Sequence, residues 1–266
     1  MRGPKVLLDS EDNWVTDIGA WFPGERVVFR GKDLLSEFHD QRWMSLLLYG
    51  ITGRRLSENQ VRLFEGLWIL GASFPDPRLW NNRVAALAGS ARSTCSLAVA
   101  GATAVSEASI YGQIPQLRAA DFLCRANAAL AQGAELGDLI QAELDAHRVL
   151  PGYGRPVTGR DERLEPVLKL ADDLGLAGGE HVKLAFEIDT WLHEHRRRVG
   201  MNVASLVAAL CADQGLSPVQ TNRVAVLCFS AGIFPCFEDA LQHPEGAFFP
   251  FRCEKVAYSG PARRTW

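Results

Sequence analysis

Val149-Leu-Pro-Gly-Tyr-Gly-Arg-Pro-Val-Thr-Gly-Arg-Asp-Glu-Arg163 is the stretch from which the rest of the chain is read. Gly152 and Gly154 flank Tyr153, Pro151 and Pro156 bracket them, and an Asp-Glu-Arg turn follows. Proline fixes φ and glycine admits positive φ, so the segment is expected to be a shaped loop rather than part of a helix. Such a loop presents its own N–H and C=O groups along a rigid edge, which suits a planar polar ligand such as adenine.

On both sides of this loop the pattern is helical. Ser57-Glu-Asn-Gln60 reads as a capping box that opens a helix running to about Leu70. Arg83 to Ser109 is rich in Ala, Ser, Gly and Thr, and is expected to be the most tightly packed central segment. Helices are predicted over 116–133, 138–148, 162–174, 181–198, 203–211, 219–230 and 237–241. Strand character is confined to the start, at Trp14-Val-Thr and Arg26-Val-Val-Phe-Arg, with Gly19, Pro23 and Gly24 as breakers. The fold class expected is therefore all-α. Phe248 to Trp266 reads as an irregular, aromatic and basic tail.

Composition narrows the function classes. The chain has 266 residues, enough for one large or two smaller cores, and a net charge of −3, which gives no footprint for nucleic acid or an anionic membrane. No apolar run of about 18 residues stands out as a bilayer span, and the N-terminus has too short an apolar stretch for a signal peptide. The cysteines at 95, 124, 211, 228, 236 and 253 show no CxxC spacing. Free thiols in the cytoplasm are expected, with no metal site.

The quoted loop resembles the PGFGH…DPR segment of the citrate synthase superfamily. Further likenesses fall in family order: Val28-Phe-Arg-Gly-Lys-Asp-Leu-Leu, Leu47-Leu-Tyr-Gly-Ile-Thr-Gly, Val84-Ala-Ala-Leu-Ala-Gly-Ser, Gly200-Met-Asn-Val-Ala and Tyr258-Ser-Gly-Pro. The short length is similar to citryl-CoA lyase-like members. The resemblance implies a two-domain helical fold, with a discontinuous large domain (1–108 and 205–266) and an inserted small domain (109–204). It also implies a homodimer, a coenzyme A or acyl-CoA substrate, and a small carboxylic acid in the cleft between domains.

The family's three reacting side chains are a histidine in an HGG turn, the histidine of PGFGH and the aspartate of NVD. They align with Tyr111, Arg155 and Ala204. A phenol still donates a hydrogen bond to an enolate oxygen, and arginine still polarises a carbonyl without shuttling protons. Alanine supplies no base, and loss of a positioned base typically removes ~10²–10⁴ in rate. Glu107 shares a helical face with Tyr111 and is the candidate substitute, with Asp189 a weaker one. Arg163 is implied as the carboxylate grip, with Arg252 and Arg263 from the tail. Leu150, Pro151, Gly152, Tyr153 and Gly154 are implied as the CoA cradle. Against each stands a plain alternative: an ion pair of Arg163 with Asp161 or Glu162, a solvated Arg155, a packed Tyr111. Three functions follow: carbon–carbon bond formation or cleavage on an acyl-CoA thioester by altered groups, a non-catalytic acyl-CoA-binding protein, and a repurposed biosynthetic enzyme using the same cleft.

Overall fold

The computed structural model describes residues 4–13, 15–110, 112–155, 159–248 and 250–262. A small antiparallel sheet comes first, β1 (Gly19–Phe22), β2 (Arg26–Phe29) and β3 (Lys32–Asp33), in sequence order. Gly19, expected as a breaker, instead starts β1 and pairs with Phe29. Two short helices flank the sheet in sequence, α1 (Lys5–Asp9) before it and α2 (Leu34–Glu37) after it, and α2 packs on β2 and β3. The body is helical: α3 (Trp43–Thr52), α4 (Glu58–Gly71), α5 (Trp80–Ser90), α6 (Cys95–Ser106), α7 (Gln113–Leu130), α8 (Leu136–His147), α9 (Leu164–Asp173), α10 (Glu180–Glu194), α11 (Val203–Asp213), α12 (Pro218–Ala225) and α13 (Ser230–Leu241). The all-α class is correct.

Local signals set many of these boundaries. Both halves of the Ser57/Gln60 capping box are formed, with Gln60 N–H to Ser57 Oγ at 3.3 Å and Ser57 N–H to Gln60 Oε1 at 2.8 Å. Ser217 and Gln220 repeat the device at α12, with Pro218 in the first turn. α10 ends at Glu194 rather than running to Arg198, because Arg196 turns left-handed at φ 54°.

Two hydrophobic cores form. The larger is centred on α7 and α11, where Phe122, Leu123, Leu206 and Leu210 are sealed from solvent among residues of α3, α4, α8, α9, α10 and α12. The smaller joins α5, α6 and α13 through Ala85, Ala86, Ala98, Ala102, Ile233 and Phe237. The Ala-rich stretch 83–109 is thus not the centre of the molecule. It is two helices broken at Arg92 (φ 55°), and it builds the smaller core. Its small residues do permit close approach: a Cβ on Gly89 would lie 2.5 Å from the Phe237 carbonyl oxygen.

One described stretch, Pro218–Leu241, is long and apolar enough to cross a membrane by length and composition, which the sequence reading overlooked. It is not one rod. The chain breaks between Ala225 and Ser230, and Val224 packs into the larger core while Ile233 and Phe237 pack into the smaller.

Candidate functional site

Three segments distant in sequence meet at the start of α11. The first is the loop 149–155. Gly152 and Gly154 adopt φ of 84° and 92°, conformations that a side chain strains. Leu150, Pro151, Gly152 and Tyr153 are buried. The Tyr153 ring points inward, donating its hydroxyl to the Ala185 carbonyl of α10 at 2.8 Å. Burial pushes that hydroxyl well above the usual phenol range, so it stays protonated.

The second segment is 200–204. Tyr153 and Met201 form an isolated antiparallel bridge. Gly154 N–H donates to Gly200 O at 2.7 Å, Asn202 N–H to Gly152 O at 2.9 Å, and Asn202 Nδ2 to Gly154 O at 2.7 Å. Asn202 Oδ1 accepts the Ala204 N–H at 2.9 Å and so caps α11. One asparagine therefore ties the glycine loop to the helix start. The backbone groups of Gly152 and Gly154 that the sequence reading left for a ligand are largely taken up by this joint.

The third segment is 160–163. Asp161 has a fully buried side chain. Its Oδ1 accepts Arg163 Nε at 2.9 Å and Arg163 N–H at 3.2 Å, and its Oδ2 accepts Arg163 Nη2 at 2.9 Å and the Val203 N–H of α11 at 3.0 Å. Burial raises its pKa, but the arginine and the two backbone donors outweigh burial and hold the carboxyl at about 2. Sequence reasoning treated Asp161 only as a partner for Arg163. Its spacing of two from Arg163, just before a helix, was the available signal.

Both arginines read as substrate groups are engaged within the chain. Arg155 binds Glu162 at 2.6 and 3.3 Å and donates to the Arg160 carbonyl at 3.0 Å. Glu162 raises the Arg155 pKa further. Arg163 gives one edge of its fork to Asp161 and keeps 41% of its side chain exposed. Ala204 sits half-buried in the first turn of α11. Asp189 of α10 stands beside the joint, its Oδ1 accepting the Met201 N–H at 2.6 Å, with a quarter of the side chain exposed.

Other candidates lie apart. Glu107 is the exposed C-cap of α6, and Arg252 is exposed in the tail; no described hydrogen bond or ion pair joins either to the three segments. Tyr111 and Arg263 lie outside the described residues. Its neighbour Gly112 is pressed against the end of α6, where an added Cβ would lie 2.5 Å from the Ser106 carbonyl oxygen. Exposed arginines flank the loop: Arg148, the left-handed cap of α8, and Arg196, Arg197 and Arg198 after α10. Among the described residues no cluster of three His, Cys, Asp or Glu side chains is placed to hold a metal. An open groove of about 600 Å³ lies along α9, lined by Arg160, Leu164, Leu168, Lys169 and Phe186.

No protein-family model and no curated protein matches the sequence. Solved structures do match the fold. Citryl-CoA lyase from Hydrogenobacter thermophilus superposes with a TM-score of 0.82 at 18% identity, covering 96% of this chain and 97% of that one. ATP citrate lyase of Methanosaeta concilii, solved with (3S)-citryl-CoA, gives 0.74 at 16% identity over 98% of this chain, which spans 45% of that longer protein. Citrate synthase from Pyrobaculum aerophilum gives 0.63 at 18% identity, covering 84% of this chain and 54% of that one. The chain has the helical fold of citryl-CoA lyase and citrate synthase.

Proposed function

We propose that this protein binds an acyl-CoA thioester and a small carboxylic acid around the joint of 149–155, 160–163 and 196–204, and acts there on a carbon–carbon bond as a lyase or acyltransferase with altered reacting groups. The observation that carries this reading is the joint itself: Asn202 and Asp161 hold the glycine loop and the start of α11 in one place within a fold shared with citryl-CoA lyase. Adenine rests against the remaining backbone groups of 149–151, with Gly152, Tyr153 and Gly154 as the support beneath. The exposed Arg148 and Arg196–Arg198 meet the phosphates through the paired N–H donors of their guanidinium groups. The free edge of Arg163 grips the carboxylate, with Arg252 and Arg263 brought from the tail. Tyr111 donates to the enolate oxygen and Arg155 polarises the acceptor carbonyl. Residues 109–204 are the CoA-carrying domain, set against 1–108 and 205–266.

A second reading, binding without turnover, is favoured by Ala204 and by Asp161. The carboxylate bonded to the start of α11, next to Ala204 in sequence, is held at about pKa 2 by its donors, and so weak a base removes few protons from a thioester. The catalytic reading requires a substitute base, for which the chain offers Glu107, exposed at the end of α6, and Asp189, beside the joint. Calorimetry with acetyl-CoA tests both readings. Binding is expected below about 1 mM, with condensation onto oxaloacetate at least ~10²-fold under an ordinary turnover of ~10 s⁻¹. No heat and no thermal shift at that concentration refutes CoA binding. Full turnover refutes the assignment of Ala204 to the base position.

The protein is proposed to be a cytoplasmic homodimer. The three-helix unit of α5, α6 and α13 leaves Leu87, Leu97, Val105 and Phe234 in water, and the tail leaves Phe251, Val256 and Tyr258 there. Apolar surface of that extent is normally covered by a partner. Light scattering at micromolar concentration is expected to give twice the monomer mass; a single monomer species contradicts the proposal.

A further inference from the structure

The end of α10 carries His193 and His195, and neither has a role in the reaction proposed above. Their surroundings differ. The His195 ring stacks on Trp191, with centroids 3.8 Å apart, and its Nδ1–H donates to the Trp191 carbonyl at 2.8 Å. That ring is committed to its own helix. His193 instead faces Asp189, one turn earlier: Nε2 lies 3.9 Å from Asp189 Oδ2, and 66% of the His193 side chain is exposed.

A spacing of four is not itself a site. His243 and Asp239, at the end of α13, make the same pair at 3.9 Å with both side chains in open solvent, 64% and 79% exposed. Asp189 is held differently. Only 25% of its side chain is exposed, and its Oδ1 is fixed by the Met201 N–H at 2.6 Å. It is thereby anchored to the segment that grips the glycine loop through the Tyr153–Met201 bridge. Gly200 stands between the two side chains and that loop. A Cβ added there would lie 3.5 Å from Asp189 Oδ1 and 3.7 Å from His193 Nε2, both ordinary contact distances. The Gly200 carbonyl accepts the Gly154 N–H at 2.7 Å. A carboxylate and an imidazole thus border a glycine of the joint, and a backbone without a side chain admits close approach of a ligand.

We propose that His193 is the base that takes the proton from the acyl-CoA thioester, with Asp189 as its positioning residue. The inference rests on the CoA-thioester reading above and supplies the group that Ala204 lacks. Imidazole is the side chain suited to gaining and losing a proton near neutral pH. The Asp189 carboxylate favours the tautomer with its proton on Nε2, which leaves the Nδ1 lone pair for the substrate. Nδ1 takes a proton from the carbon next to the thioester carbonyl. The C–H electron pair becomes the C=C bond of an enolate, and the carbonyl π pair moves to oxygen. The imidazolium then returns its proton, or one exchanged with solvent, to that carbon.

The test follows deuterium entering the acetyl methyl of acetyl-CoA in D₂O by NMR, with calorimetry of acetyl-CoA binding on the same proteins. The methyl is expected to exchange faster than in a protein-free blank. His193→Gln, at an exposed helical position, is expected to lower that rate by ~10²-fold with acetyl-CoA binding unchanged. Asp189→Asn keeps an acceptor for the Met201 N–H and is expected to lower the rate by ~10-fold or more, again without loss of binding. His243→Gln, in the matched pair on α13, is expected to change neither quantity. Added imidazole is expected to restore exchange to His193→Ala, which a purely structural histidine would not allow. Acetyl-CoA bound without methyl exchange overturns the proposal and leaves CoA binding standing. Exchange indifferent to His193→Gln puts the base elsewhere and overturns it too. Absence of acetyl-CoA binding overturns the CoA reading and the proposal with it.

Discussion

Gly152→Ala is expected to cost about 2–4 kcal/mol of stability and to displace the 149–155 loop. Two effects add. At φ 84° an alanine pays roughly 1 kcal/mol for the left-handed backbone alone. The new methyl would then lie 2.7 Å from Ser205 Cβ, 3.0 Å from Ser205 Cα and 3.2 Å from Ala119 Cβ. None of these is the far end of a flexible side chain; all belong to α11 and α7 at the centre of the larger core, where packing yields only by moving helices. Retreat of the loop would also break the bond from Asn202 N–H to Gly152 O. Gly133 provides the control. Its φ is 89°, but nothing lies within 4 Å of its added Cβ, so Gly133→Ala is expected to lose only about 1 kcal/mol. Urea denaturation of the three proteins separates strain from crowding. Equal losses for the two variants would mean that the loop does not press on α11.

The same position shows what was legible in the chain. Gly152 and Gly154 were readable as positive-φ sites, because conformational permission is a property of one residue and its neighbours. The capping box at Ser57 is equally local, and its helix starts where expected. The fold followed from several short motifs in a fixed order, and the superposition on citryl-CoA lyase agrees with it. What escaped was set by partners far along the chain. Tyr153 reads as a displayed aromatic, yet its hydroxyl finds Ala185, 32 residues away. Asp161 reads as a turn residue, yet it bonds α11, 42 residues away. Stretch 83–109 reads as central because its small residues imply close packing. Small residues specify that helices approach, not which helices, and here the partner is α13. Periodicity and capping carry no information about such pairings.

Asp161 is the fully buried carboxylate of the joint, and its removal is expected to open it. The side chain has no exposure and accepts four hydrogen bonds, three from Arg163 and one from Val203. Asp161→Ala leaves the guanidinium half-buried without its counter-charge and α11 without one of its N-terminal acceptors. Breaking a buried pair from one side typically costs about 3–5 kcal/mol. Asp161→Asn keeps the shape and one acceptor but turns an N–H₂ toward donors, so a loss of about 2–4 kcal/mol is expected. The pH dependence has a definite sign. The carboxyl is held at about 2 in the folded chain, below its ordinary 3.8, so its contribution is complete above about pH 4 and vanishes as pH falls through 2. That contribution is on the order of 2 kcal/mol. Stability of the parent protein is therefore expected to fall between pH 4 and pH 2 by that much more than stability of Asp161→Asn. Urea midpoints at pH 7, 4 and 2.5 measure the difference. Parallel profiles would show that Asp161 is not anchored as described. A steeper parent profile would establish that this carboxylate is committed to holding Arg163 and α11, and is therefore not the group that replaces the missing base beside Ala204.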